Sequence, residues 1–186
     1  MTEAIVLPQR FSVVRHPELR RLVRYYRDAC AGGRMISREA LDPMLLKTVL
    51  PRVFYYDYDA EADDFRLRLA GEEVRAVLPS AKRGALVGDI LPAKDAERIR
   101  GYYRRVVKEE LLLHSRGRVV FKSGEEGMGE RIVVPVGDAR GRPAQIFGAS
   151  FYEVEGKSRA ARHEFSFELV EVSFIPLSDV AAASAD

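Results

Sequence analysis

The stretch Asp42-Pro43-Met44-Leu45-Leu46-Lys47-Thr48-Val49-Leu50-Pro51-Arg52-Val53-Phe54-Tyr55-Tyr56-Asp57-Tyr58-Asp59, continued after an acidic turn by Phe65-Arg66-Leu67-Arg68-Leu69-Ala70-Gly71, decides the fold. A proline pushes the residue before it out of the α region, so a short helix over Pro43–Val49 must stop ahead of Pro51. Two strands follow, over Arg52–Asp57 and Phe65–Ala70. In the second, Phe65, Leu67 and Leu69 alternate with Arg66, Arg68 and Ala70, the period that gives a strand one core face and one wet face. Gly71 ends the strand.

Downstream, Glu72–Leu78 reads as a short helix with Val74 and Val77 inward, Pro79–Gly88 as a loop and Asp89–Ala93 as irregular. Lys94–Lys108 is a longer helix, with Ile99, Tyr102, Tyr103 and Val106 at helical spacing. Gly101 inside it costs about 1 kcal/mol relative to alanine, which suggests close approach of a neighbour or a ligand. Arg118–Lys122, Glu130–Val136 and Ala144–Val154 read as hairpin-linked strands, the first two joined by Ser123–Gly129. Ile132, Val134 and Val136 take one face of the middle strand, Arg131 and Val133 the other. Glu164–Ile175 is a further strand whose apolar phase slips between Leu169 and Val170, the mark of a bulge. Ser178–Asp186 is expected to be a disordered tail.

Upstream, Met1–Arg15 is expected to lie on the domain or be disordered. Pro17 suits a first helical turn. Leu19, Leu22, Val23, Tyr26 and Cys30 then form one apolar stripe that ends at Gly32-Gly33. Such a stripe must bury against its own domain, against the same helix of a second copy, or both, so a homodimer through this helix is expected. The elements assemble as α+β: a five-stranded antiparallel sheet with helices on one face. An N-terminal arm and helix (1–41) precede the core (42–155), and a C-terminal strand and tail (156–186) follow it.

With 47% hydrophobic and 31% charged residues the composition is that of a soluble globular protein. No apolar run reaches the roughly 18 residues of a membrane span, and Met1–Gln9 has no signal-peptide pattern, so a cytoplasmic location is expected. Lone Cys30 excludes an internal disulfide framework. The net charge of +2 does not argue for nucleic acid, although 24 of the 30 basic residues are arginine. Arg15, Arg20, Arg21, Arg24 and Arg27 cluster in one segment, and Arg98, Arg100, Arg104 and Arg105 in another. Both read as solvated helix faces.

Residues as well as element order resemble a known family. Leu22-Val23-Arg24-Tyr25-Tyr26, Gly32-Gly33-Arg34, Arg38, Asp42-Pro43, Leu50-Pro51, Phe65-Arg66, Arg68-Leu69-Ala70-Gly71, Gly88 and Arg131-Ile132-Val133-Val134-Pro135-Val136 resemble the signature of a bacterial PAS branch best known from alphaproteobacteria. The likeness covers about Leu22 to Phe151. Tyr26 stands where tryptophan is usual, and Glu72 where threonine is common. The resemblance implies a sensing or interaction module, not an enzyme, with a pocket between the sheet and the long helix. That pocket would be lined by Tyr56, Leu67, Leu69, Tyr102, Val119, Phe121, Ile132, Val134 and Phe147. The same residues would equally make a filled core.

Little else points to chemistry. A flavin photoadduct needs a cysteine between the second strand and the long helix, and Cys30 is elsewhere. Haem needs an axial ligand near that helix; His114 follows it, but in a strand-like context that suggests a surface or capping role. His16 and His163 read as solvated. The acidic turn lacks the glycine and the terminal glutamate of a calcium loop, having Ala62 and Arg68 instead. Gly124–Gly129 has acids where a phosphate loop wants none.

Three functions stay open: a PAS-type module that binds a small hydrophobic ligand or a regulatory protein partner; a small enzyme using Tyr56, Tyr102, Arg66 and Arg131; and an arginine-rich nucleotide or nucleic-acid binder.

Overall fold

A computed structural model describes residues 11–30, 35–44, 46–121, 125–138, 143–154 and 165–182. In chain order the elements are α1 (Pro17–Ala29), β1 (Val53–Asp59), β2 (Asp64–Ala70), α2 (Glu72–Val77), α3 (Val87–Ile90), α4 (Ala93–Lys108), β3 (Leu111–Phe121), β4 (Glu126–Gly137), β5 (Pro143–Val154), β6 (Phe165–Pro176) and α5 (Leu177–Ala182). The expected helix over Pro43–Val49 is absent. Turns run through its described residues instead, and a 3-10 helix spans Leu50–Arg52.

The strands form one antiparallel sheet in the order β2-β1-β5-β4-β3-β6. The first two strands pair with each other and share a sheet with the later ones, as the α+β expectation required. The sheet has six strands rather than five, because β6 bonds along the whole of β3. The expected phase slip is real: Arg116 pairs with Glu171 and Gly117 with Leu169, which leaves Val170 as the extra residue of a bulge.

A second bulge overturns the simple alternation of β2. Tyr55 pairs with Leu69 but Tyr56 with Leu67, so Arg68 is the inserted residue. Beyond it the faces exchange: Phe65, Leu67 and Ala70 are buried, while Leu69 is 51% exposed.

Helices cover both faces of the sheet, not one. Val53, Tyr55, Ile132, Val134, Phe147 and Phe151 pack with Leu19, Leu22, Val23 and Tyr26 of α1. Phe54, Tyr56, Phe65, Leu67, Val133 and Ile146 pack with α2, α3 and α4 on the other side. This explains the unbroken apolar run at the start of β1, since a strand roofed on both sides has no wet face. It also disposes of the α1 stripe: Leu19, Leu22, Val23 and Tyr26 are at most 3% exposed. A homodimer therefore cannot form by burying that stripe a second time.

The C-terminal residues are ordered further than expected, for α5 buries Val180 against the α1 side. Residues 183–186 lie outside the described part, as do 1–10, while Phe11 and Val14 are buried in the core. The Gly32-Gly33 stop also falls outside it; the described end of α1 is Ala29, with Cys30 as its cap. Gly71 joins two pieces of the sequence signature. A Cβ there would fall 2.2 Å from the Pro51 carbonyl oxygen, so only glycine lets the end of β2 pass Leu50-Pro51.

Candidate functional site

Between the sheet and α2, α3 and α4 lies a cavity of about 460 Å³. β1 presents Phe54 and Tyr56, two residues apart and so on one face. α4 presents Tyr103, Ile99, Asp95 and Arg98; α2 adds Val74 and Val77, and α3 adds Val87, Asp89 and Ile90. Arg131 of β4 and Phe167 of β6 complete the sheet side. The rings form a connected wall: Phe54 to Tyr103 is 6.4 Å and near stacked, Tyr56 to Tyr103 is 6.0 Å, and Phe65 meets Tyr103 edge-on at 5.4 Å.

Arg131 is the unusual member. Its Nε donates to Ser150 Oγ at 2.7 Å, its Nη2 lies 3.5 Å from Tyr152 Oη, and its guanidinium stands 5.3 Å from the Phe54 ring centre. Burial pushes the Tyr56 and Tyr103 phenols well above the ordinary range, and the Arg131 charge only partly opposes this. Both therefore remain neutral hydroxyls. At the opposite wall Asp95 accepts from Arg98 at 2.6 Å, and Asp89 accepts the Leu86 N–H at 2.9 Å.

Of the expected pocket residues, Tyr56 lines the cavity, and Leu67 lies on its side of the sheet. Ile132, Val134 and Phe147 do not: they point to the other face and pack with α1. The alternation expected of β4 holds, but alternation cannot say which face carries the cavity when both are covered. Leu69 is carried to solvent by the Arg68 bulge. Tyr102 faces away from the cavity and meets Phe174 edge-on at 5.7 Å, while its neighbour Tyr103 takes the inward position. Val119 is fully buried outside the cavity lining. The Phe121 side chain lies outside the described residues. Phe54, Tyr103 and Phe167 are aromatic members outside the expected lining, as are Arg131 and the α2 and α3 residues; the position of Phe54 two residues before Tyr56 was the available signal for the first.

Arg66 is remote from the cavity, paired with Asp59 and donating to the Gly84 carbonyl. The α4 arginines are likewise engaged: Arg98 with Asp95, Arg100 with Asp64 and Glu97, Arg104 with Asp63, Arg105 with Glu109. Gly101 has open space where a Cβ would sit, so no neighbour requires it.

His114 is neither a surface nor a capping residue. It is fully buried on the α1 side, where its Nε2 is 2.9 Å from Glu130 Oε1, with the sheet between it and the cavity. The same carboxylate accepts the backbone N–H of Arg15 at 2.7 Å and of His16 at 2.9 Å. His16 is not simply solvated either: its Nδ1 accepts the Glu18 N–H, and its ring lies 3.9 Å from that of Phe151. His163 is outside the described residues. Cys30 also sits on the α1 side, and burial pushes its thiol up. Tyr26 uses its hydroxyl to donate to the Pro135 carbonyl at 2.6 Å. Among the described residues no cluster of three or more potential metal ligands occurs, and no helix is long and apolar enough to cross a membrane.

This combination of strand order, helical layer and cavity between them defines a PAS-like α+β fold. A PAS domain family model, PAS_5, matches residues 14–151, and the chain belongs to that family. β6 and α5 lie beyond the match. None of the curated proteins matches the chain significantly in sequence. Among solved structures, the Vibrio cholera VqmA–ligand–DNA complex is similar with a TM-score of 0.46 at 13% identity, over 60% of this chain and 50% of that one. The PAS domain of Bordetella pertussis BvgS has a TM-score of 0.42 at 19% identity, covering 63% and 85%. The Rhodobacter sphaeroides LOV protein has 0.37 at 16%, covering 60% and 68%. The chain spans about half the length of the VqmA chains that it matches. The expectation against a nucleic-acid partner, drawn from net charge, finds no support in these comparisons.

Proposed function

We propose that this chain is a sensory or regulatory module that holds a small ligand in the cavity under α2, α3 and α4 and signals occupancy through protein–protein contacts. The observation that carries the reading is the cavity itself, about 460 Å³ in a region the sequence could have filled. Packed interiors leave few voids larger than a water molecule, while small-ligand sites run from about 300 to 1,000 Å³ with apolar walls and a few placed polar groups. Neutral, high-pKa tyrosines and an arginine that cannot deprotonate favour binding over proton transfer. The outward route is the sheet, whose strands carry cavity residues on one face and α1 contacts on the other.

Native mass spectrometry of protein purified without denaturation tests the binding half, with Val74→Trp as the cavity-filling variant. The wild type is expected to retain a small molecule or to take up aromatic probes, and the variant to lose this. Equal uptake by a correctly folded Val74→Trp protein would place binding elsewhere.

A further inference from the structure

We infer that the cavity takes a small organic acid, its aromatic or apolar body against Phe54, Tyr56 and Tyr103 and its carboxylate on Arg131. The inference rests on the ligand-binding reading above and narrows it to a chemical class.

The argument is one of charge accounting. A guanidinium has five N–H donors and cannot shed its proton in a protein. Around the Arg131 guanidinium stand Ser150 Oγ, Tyr152 Oη, the Tyr103 hydroxyl and the Phe54 ring, and no carboxylate of the described residues pairs with it. The arginines on α4 all have one. A charge withdrawn from water is costly unless paired, and burial holds the Tyr56 and Tyr103 phenols protonated, so neither supplies an anion. Part of Arg131 opens on the cavity, which is where an anion can reach it.

The other charged groups of the lining fix the orientation. Asp95 is matched by Arg98, and Asp89 is used by the Leu86 N–H at the start of α3. At the α3–α4 wall an incoming carboxylate meets the balanced Asp95–Arg98 pair and the Asp89 carboxylate, whereas the sheet side offers Arg131 with no carboxylate of the described residues beside it. There the planar guanidinium suits a two-oxygen acceptor, and the rings hold the apolar remainder. An uncharged ligand of the same shape would leave the arginine without a counter-charge.

The test uses the full chain and three matched probe pairs: phenylacetate, 4-hydroxybenzoate and indole-3-acetate, each against its primary amide. Affinity is read by calorimetry at pH 7 for wild type, Arg131→Lys and Arg131→Met, with folding checked by circular dichroism. The expected result is that at least one acid binds roughly ten- to a hundredfold more tightly than its amide. That preference should shrink in Arg131→Lys and vanish in Arg131→Met. Should Arg131→Met fail to fold, the Lys variant and the acid-to-amide ratio in wild type still decide. Acids and amides binding alike would overturn the anion inference while leaving the ligand reading intact. Binding of amides alone would do the same. Failure of both sets, with no retained ligand in native mass spectra, would overturn the two together.

Discussion

Glu130 and Arg131 are consecutive on β4 and reach opposite sides of the sheet: one holds the entry to α1, the other lines the cavity. The alternation of a strand makes this unavoidable. A ligand that draws on Arg131 therefore acts one residue away from the carboxylate that gathers the Arg15 and His16 N–H groups and His114. This adjacency is the shortest physical link between the cavity and α1.

Glu130→Gln tests that link. The amide keeps the shape but replaces one acceptor by a donor facing other donors, which costs about 1–3 kcal/mol when buried. Hydrogen exchange should quicken first at Arg15, His16 and the first turn of α1, and a pattern confined to the cavity helices would refute the clamp.

Acid should release the same contact. Burial by itself would raise the Glu130 carboxyl, yet the bonds from His114 and the two backbone N–H groups hold it below its usual value of 4.5. A depressed carboxyl contributes stability above its unfolded pKa and loses it as pH falls through the lower folded value. His16, whose pKa burial lowers from 6.5, adds a loss in the same direction beginning below that pH. Thermal melts between pH 7.5 and 3 should therefore show α1 protection declining in wild type, and declining less in Glu130→Gln below about pH 4.5.

The adjacent tyrosines of α4 should separate cleanly. Tyr103 is buried among Phe54, Tyr56 and Phe65, so Tyr103→Ala is expected to cost about 3–5 kcal/mol. Tyr102 has a peripheral edge-on contact with Phe174, and Tyr102→Ala should cost less than Tyr103→Ala by at least 1 kcal/mol, by the roughly 0.5–1.5 of an aromatic pair plus modest area. Urea denaturation measures both, and the reverse ranking would invalidate the assignment of the inward face.

Attachment of β6 depends on small residues beneath it. A Cβ on Gly117 would fall 2.2 Å from the Glu168 carbonyl oxygen and 2.9 Å from the Phe167 ring, and one on Gly129 would also meet that ring at 2.9 Å. Gly117→Ala should cost on the order of 1–3 kcal/mol by overpacking, and limited proteolysis should cut β6 sooner than β4. Intact β6 under those conditions would show that the edge strand tolerates the shift.

Gly101→Ala goes the other way. With open space at the Cβ position and a helical backbone, the substitution should raise stability by about 0.5–1 kcal/mol. A fall in melting temperature would mean that an unseen neighbour does approach the helix there.

Much of the architecture could be read from the chain. The long helix, the α1 stripe, β4, β5 and the Val170 bulge announce themselves through the local spacing of apolar residues, whereas β3 begins at Leu111, well ahead of the expected Arg118, and β1 opens on an apolar run without alternation. The cavity was half legible. Of the expected lining, Tyr56 faces the cavity, whereas Ile132, Val134 and Phe147 face the other side of a sheet that is covered on both. Tyr102 was preferred over Tyr103, although a helix turns by only about 100° between them and both fit the stripe. Phe167 was invisible, since its part in the wall follows from β6 folding back beside β3.

By itself the sequence determined the two long helices and the presence of six strands, and that the residues of the PAS signature occur in order, for these follow from near neighbours in the chain. Only the tertiary structure decided which side of the sheet holds open space, that Arg68 exposes Leu69, and that Arg131 stands beside that space without a carboxylate among the described residues. Those are matters of what lies across from a side chain, and residues far apart in sequence supply the answer.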